Sequence, residues 1–238
     1  MNRKTLYATA AAAGLLLGFQ SASAADIVPE MAASPGWYVS LFGGASFLED
    51  VETEYVYNGT PDFGNEAETD VGFIVGGAIG AHLTDNIRVE LEVAYSENDV
   101  DKLKYTPPGG DTRTYDAASG QFGILTFMGN LWLDVPLSDE ISPYVGGGAG
   151  VAIIDGELAF DDFFAGEPIY DSSETAFAFQ VGAGLRWKAW ENITLDVGYR
   201  LRGIEGVTFE ENDVNLVSDY DSDWIYSHNV IAGVSLGF

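Results

Sequence analysis

Eight stretches of the chain alternate apolar and polar positions with a period of two, the pattern of strands that expose one apolar face. In the first, Trp37, Val39, Leu41, Gly43, Ala45 and Phe47 share a face, and in the second Val71, Phe73, Val75, Gly77, Ile79 and Ala81 do. The third sets Ile87, Val89, Leu91, Val93 and Tyr95 against Arg88, Glu90, Glu92 and Ala94. The fourth, about 120–135, opposes Leu125, Phe127, Gly129, Leu131 and Leu133 to Thr126, Met128, Asn130, Trp132 and Asp134, so large residues lie on both faces. The fifth, "SPYVGGGAGVAII", is glycine-rich on both faces. The sixth places Phe177 to Trp187 at odd positions against Gln180, Arg186 and Lys188, and the seventh places Ile193 to Leu201 against Asp196, Arg200 and Arg202. The eighth runs from Trp224 to the end, with Val230, Ala232, Val234, Leu236 and Phe238 on one face and Ile231 breaking the polarity of the other.

The connections alternate in length. Short ones fall at "LTDN", "PLSDEIS" and "AWEN", long ones at about 48–69, 97–119, 155–173 and 205–222. Even strand number, strands of about 9 to 11 residues and strict short–long alternation predict an all-β, eight-stranded antiparallel transmembrane β-barrel with short periplasmic turns and long acidic extracellular loops. Trp37, Trp187, Trp190 and Trp224 fall near strand ends, where aromatic girdles meet the membrane interfaces.

Residues 1–24 carry the three parts of a secretory signal peptide: Arg3 and Lys4, an apolar run from Leu6 to Phe19, and a small-residue cleavage site at Ala22, Ser23 and Ala24. The expected organisation is a cleaved signal peptide over 1–24, a short periplasmic segment over 25–34 and the barrel over 35–238. With no cysteine, disulfides, thiolate metal sites and cysteine nucleophiles are excluded. Past residue 24 the chain has 8 basic residues against 37 acidic ones, a balance that repels nucleic acid.

Most of the acid falls in the long loops, a face that attracts cations. Divalent-cation binding by a stretch such as "FEENDVNLVSDYDSD" fits the preference of hard cations for oxygen, although no EF-hand spacing is present. The scarce basic residues are more telling, because Arg88, Arg186, Lys188, Arg200 and Arg202 all lie opposite the apolar face, together with Glu90, Glu92, Asp134 and Asp196. An eight-stranded barrel is narrow enough for side chains to fill it. These nine residues therefore predict an interior network of paired charges in place of a channel lining.

"GWYVSLFGGASF", "GNLWLDVP", "PYVGGGAGVA" and the closing "VIAGVSLGF" resemble the small outer-membrane surface proteins of Gram-negative bacteria, the OmpA-like or opacity-type eight-stranded barrels also called porin family proteins. The resemblance implies a place in the bacterial outer membrane, in contact with its lipid and lipopolysaccharide. It also implies that Phe238, with Leu236 and Val234 before it, is the sorting signal read by the β-barrel assembly machinery. No periplasmic wall-binding domain is expected after the eighth strand, and no cofactor or metal is expected.

The functional expectation is a structural, envelope-integrity and surface-interaction role, with divalent cations or host and surface ligands at the loops. The alternative is a small porin or channel for solutes. An enzyme modifying lipid A is a weaker alternative: Ser227 and His228 are adjacent in a strand and so face opposite sides, and His82, the other histidine, lies at the far end.

Overall fold

A computed structural model of the protein describes residues 36–57, 60–107, 110–116, 119–159, 168–210 and 218–238. The expected signal peptide, 1–24, and the expected periplasmic segment, 25–34, lie outside the described residues. Among the described residues thirteen strands follow one another: β1 (Trp37–Leu48), β2 (Val51–Tyr57), β3 (Thr60–Thr69), β4 (Gly72–His82), β5 (Ile87–Thr106), β6 (Arg113–Asp116), β7 (Ser119–Asp134), β8 (Ile141–Ala159), β9 (Pro168–Lys188), β10 (Ile193–Ile204), β11 (Thr208–Glu210), β12 (Ser218–Ser222) and β13 (Ile225–Gly237).

Eight of them close into an antiparallel ring in the order β1, β4, β5, β7, β8, β9, β10, β13. The last strand returns to the first, Tyr38 opposite Gly237 and Leu48 opposite Ser227. The register fixes the ring's geometry. A row of paired residues leaving β13 at Ile225 passes Ile204, Ala178, Gly150, Met128, Glu92, Ala78 and Ser40 and re-enters β13 at Ser235, ten residues further on. A shear of ten over eight strands, at ~3.3 Å rise and ~4.8 Å spacing, tilts the strands by about 41°.

The apolar parity of every ring strand faces outward: Leu41, Val75, Leu91, Leu131, Val145, Val181, Val197 and Val230 are exposed on the outer wall. The fourth sequence stretch lies in the register read from its pattern, because Trp132 is buried inside while Phe127 and Leu133 face out. Ile231, out of place on a polar face, is explained by a small interior apolar group with Phe42, Ile74 and Ala94. Trp37, Trp187 and Trp190 ring the end that carries the short turns, and Trp224 stands at the other.

The long connections are where the pattern of the sequence misleads. They hold much strand: β2, β3, β6, β11 and β12 lie within them, and β5, β8 and β9 reach 20, 19 and 21 residues, roughly twice what crosses a bilayer. β11, β12, β2, β3, the upper half of β5 and β6 join in a second sheet that rises from the ring.

Interior bulk is accommodated by glycine on neighbouring strands. The Tyr144 ring lies across the interior of the wall, so a Cβ at Gly184 would sit 2.6 Å from it and one at Gly198 2.4 Å from its hydroxyl. Gly184→Val forces this ring and the Val197 carbonyl apart, and overpacking of this kind costs about 1–3 kcal/mol. The expected result is a lower urea midpoint in lipid vesicles with a conductance and strand content unchanged at low denaturant.

Candidate functional site

The barrel interior holds two joined clusters of charge. In the first, Arg88 donates through Nε to Asp134 Oδ2 at 2.7 Å and through Nη1 to Glu90 Oε1 at 2.8 Å and Tyr38 Oη at 2.9 Å. Glu90 is satisfied further by the Tyr38 hydroxyl at 2.6 Å and by the Trp132 indole N–H at 2.7 Å. In the second cluster Glu92 accepts from Arg202 Nη2 at 2.6 Å and from Arg200 Nη1, with the Asn130 amide at 3.1 Å. Gln180 ties this group together, donating to Asn130 Oδ1 at 2.7 Å and accepting from Arg202 Nε at 3.0 Å. The Arg200 guanidinium lies over the rings of Phe42 and Trp132, 4.7 and 5.3 Å from their centroids, and so links the clusters.

Of the nine charged residues singled out in the sequence, Arg88, Glu90, Glu92, Asp134, Arg200 and Arg202 are thus buried and bonded together. Arg186 joins at the edge, 3.3 Å from Asp134. Asp196 lines a void of about 20 Å³ beside Arg200 and has no direct ion-pair partner among the described residues. Lys188 is exposed at the mouth. The neutral members Tyr38, Asn130, Trp132 and Gln180 are the residues that charge-based reading passes over. Their signal is parity alone, since each lies on the inward face.

Above this network the interior changes character. Leu48, Val51, Val100, Phe122, Ile124, Met128, Ile154, Ile204, Val207 and Ile225 are buried together at the end of the ring that carries the long segments. Charge fills the lower lumen and apolar packing closes the upper one.

The outer wall and the two ends complete the site. Val234, Leu236 and Phe238 are exposed on the apolar outer face, Phe238 most of all at 76%. Ser227 is buried inside, whereas His228 faces outward, where its Nε2 meets Glu49 at 2.8 Å and its Nδ1 meets the Tyr199 hydroxyl at 2.5 Å. That chain joins the residue just past β1 to β13 and β10 across the closing seam. In the raised sheet Asp50, Glu66 and Glu68 bring carboxylate oxygens within 4.8 Å of one another, and Lys104 Nζ bonds Glu66 at 2.7 Å and Glu68 at 2.6 Å. The Lys104 hydrogen bond holds the Glu68 carboxyl below its usual range, and burial together with neighbouring Glu66 pushes Asp50 up. Part of the acidic stretch read for cation binding, 211–217, lies outside the described residues.

A closed β-ring with an apolar outer belt and a charged lumen defines a transmembrane barrel of the bacterial outer membrane. The chain matches the family described as outer membrane protein beta-barrel domain over residues 10–238, and it belongs to that family. It is 23% identical to an uncharacterized protein of Brucella suis biovar 1, over 87% of this chain and 85% of that protein. Among solved structures it is similar to the outer membrane protease OmpT of Escherichia coli, with 12% identity, a TM-score of 0.52 and coverage of 87% of this chain and 99% of that one. It also matches Neisserial surface protein A, with 17% identity, a TM-score of 0.48 and coverage of 85% and 97%.

Two outcomes follow from this geometry. Glu92→Gln strands two buried guanidinium groups, and loss of one partner in such a site costs about 3–5 kcal/mol in the unfolding free energy measured in vesicles. Replacing Glu92, Arg200 and Arg202 together by leucine is expected to cost much less. In the raised sheet, a carboxyl held low by its partner contributes stability above the ordinary value of 4.5 and loses it as pH falls through the lower folded value. Lys104→Gln therefore raises the titration midpoint of Glu68 followed by carboxylate NMR, and an unmoved midpoint contradicts the assignment.

Proposed function

We propose that this protein is a sealed structural and surface-contact barrel, with its short turns in the periplasm and its long acidic segments outside the cell. The observation that carries this reading is the two-tier interior. A paired charge network fills the lower lumen, an apolar cluster closes the upper one, and a water path needs to breach both.

The contact role rests on charge. Residues 48–70, 97–119, 155–176 and 205–224 contain 27 of the 37 acidic residues and three of the ten basic ones, Lys102, Lys104 and Arg113. A surface of that sign draws divalent cations and, through them, the phosphates of lipopolysaccharide or a cationic surface outside the cell. Val234, Leu236 and Phe238 serve assembly, as the exposed outer-face end of the closing strand offered to the β-barrel assembly machinery. Enzymatic activity on lipid A is not part of this role, because Ser227 and His228 stand on opposite sides of the wall.

Purified protein refolded into planar bilayers is expected to be electrically silent, and a strain lacking it to become sensitive to detergent and to chelation of divalent cations. Large, steady conductance moves the function to a porin. Unchanged envelope integrity together with unchanged surface adhesion removes the structural and contact role.

A further inference from the structure

At the end of the ring that carries the short turns, the lumen opens into a vestibule of about 500 Å³, within the size range of small-ligand sites. Tyr38 lines it and is hydrogen-bonded to Arg88 and Glu90 of the charge network that fills the lumen beyond.

Arg186 is the residue that gives this vestibule a chemistry. Its side chain is 11% exposed, its guanidinium lies over the Tyr38 ring at 5.5 Å, and its Nη1 is held between Asp134 at 3.3 Å and His82 Nε2 at 3.4 Å. His82 in turn places Nδ1 3.2 Å from the Gly36 carbonyl, so the proton sits on Nδ1 and Nε2 accepts from the arginine. The plane of the guanidinium is thereby fixed, while Nε and Nη2 have no hydrogen-bond partner among the described residues. Lys188 lines the same cavity and has no ion-pair partner among the described residues. A fixed arginine fork beside an ammonium matches a carboxylate.

The rest of the lining narrows the ligand. The rim is acidic, formed by Asp85, Asp139, Glu140 and Glu191 from the short turns, which repels polyanions and attracts a positive group. With the lumen beyond filled by the charge network, a cavity here suits a chain end better than a chain passing through.

We infer that this vestibule binds the carboxyl end of a short peptide that carries a basic group close behind it. The carboxylate meets Arg186 and Lys188, and the basic group lies against the acidic rim. This goes beyond the sealed-barrel reading and uses it only for exposure to the periplasm, since binding to protein in detergent does not depend on orientation or on conductance.

The test is calorimetric titration of the refolded full-length barrel in detergent with the peptide Ala-Lys-Ala, its carboxyl-terminal amide, and Ala-Glu-Ala. The free acid is expected to bind about tenfold tighter or more than either of the others, as suits a charge-assisted hydrogen-bonded pair. Lys188→Gln, at an exposed site that leaves the fold intact, is expected to weaken the free acid severalfold. Arg186→Gln is expected to abolish the preference for acid over amide. Equal binding of acid and amide by the natural protein overturns the proposal, as does absence of binding. So does survival of the preference in an Arg186→Gln protein that still shifts with heat on gels.

Discussion

Everything in this molecule depends on closing a β-sheet in a solvent that cannot hydrogen-bond. Within lipid every backbone N–H and C=O must find a partner inside the protein, so an open edge is excluded and the first strand must receive the last. The register that achieves this, Tyr38 opposite Gly237 on one side of β1 and Gly80 on the other, sets the shear, the tilt and hence the bore. The bore then decides what the interior can contain. Too narrow for a water column, it must be filled, and inward glycines such as Gly184 and Gly198 make the room for Tyr144 that a wider ring would have supplied.

Filling the lumen with charge is expensive unless each charge has partners at hydrogen-bond distance. The structure meets that condition by giving each buried glutamate several donors of different kinds. Glu90 takes an arginine, a tyrosine and an indole, and Glu92 takes two arginines and an amide. Neutral donors matter because they satisfy carboxylate oxygens without adding repulsion between guanidinium groups. Along the barrel axis the polarity then inverts. At the level of the lipid the outer wall is apolar and the lumen polar. Higher up, where the outer wall meets water, β5, β7, β8 and β9 bury Val100, Phe122, Ile154 and Ala176 inward. One strand therefore runs through two solvents, and its apolar face follows the drier side.

That inversion is the physical reason the sequence was legible in its lower half and not in its upper half. The alternation of β1, β4, β10 and β13 needs only the rule that one parity faces lipid, and Trp132 and Ile231 were ambiguous only because each is an apolar residue on the inward parity. Above the lipid both parities are constrained differently, and polar residues such as Glu66, Glu68, Lys102 and Lys104 form strands through cross-strand ion pairs that a hydrophobic pattern does not reveal. The charged members of the lumen were readable because a charge on a membrane strand can face only inward. Their neutral partners were not, since Tyr38, Asn130 and Gln180 have no such restriction. Nor does parity report height, so Lys188 shares a face with Arg186 and Arg200 yet lies at the mouth, two residues beyond the edge of the network.

Height is what separates the roles of the two ends. The upper apolar cluster removes any need for the lumen to be sealed from below, so the short-turn end is free to leave Arg186 incompletely paired and a cavity open in front of it. An arginine in that position without a fixed plane would collapse onto Asp134 and spend its donors there. The Tyr38 ring and His82 oppose this by holding the guanidinium through its face and Nη1, and Nε and Nη2 keep no partner among the described residues. The network that fills the barrel thus also orients its outermost cation, and the constraint imposed by a narrow bore becomes the source of a preorganised polar group at its mouth.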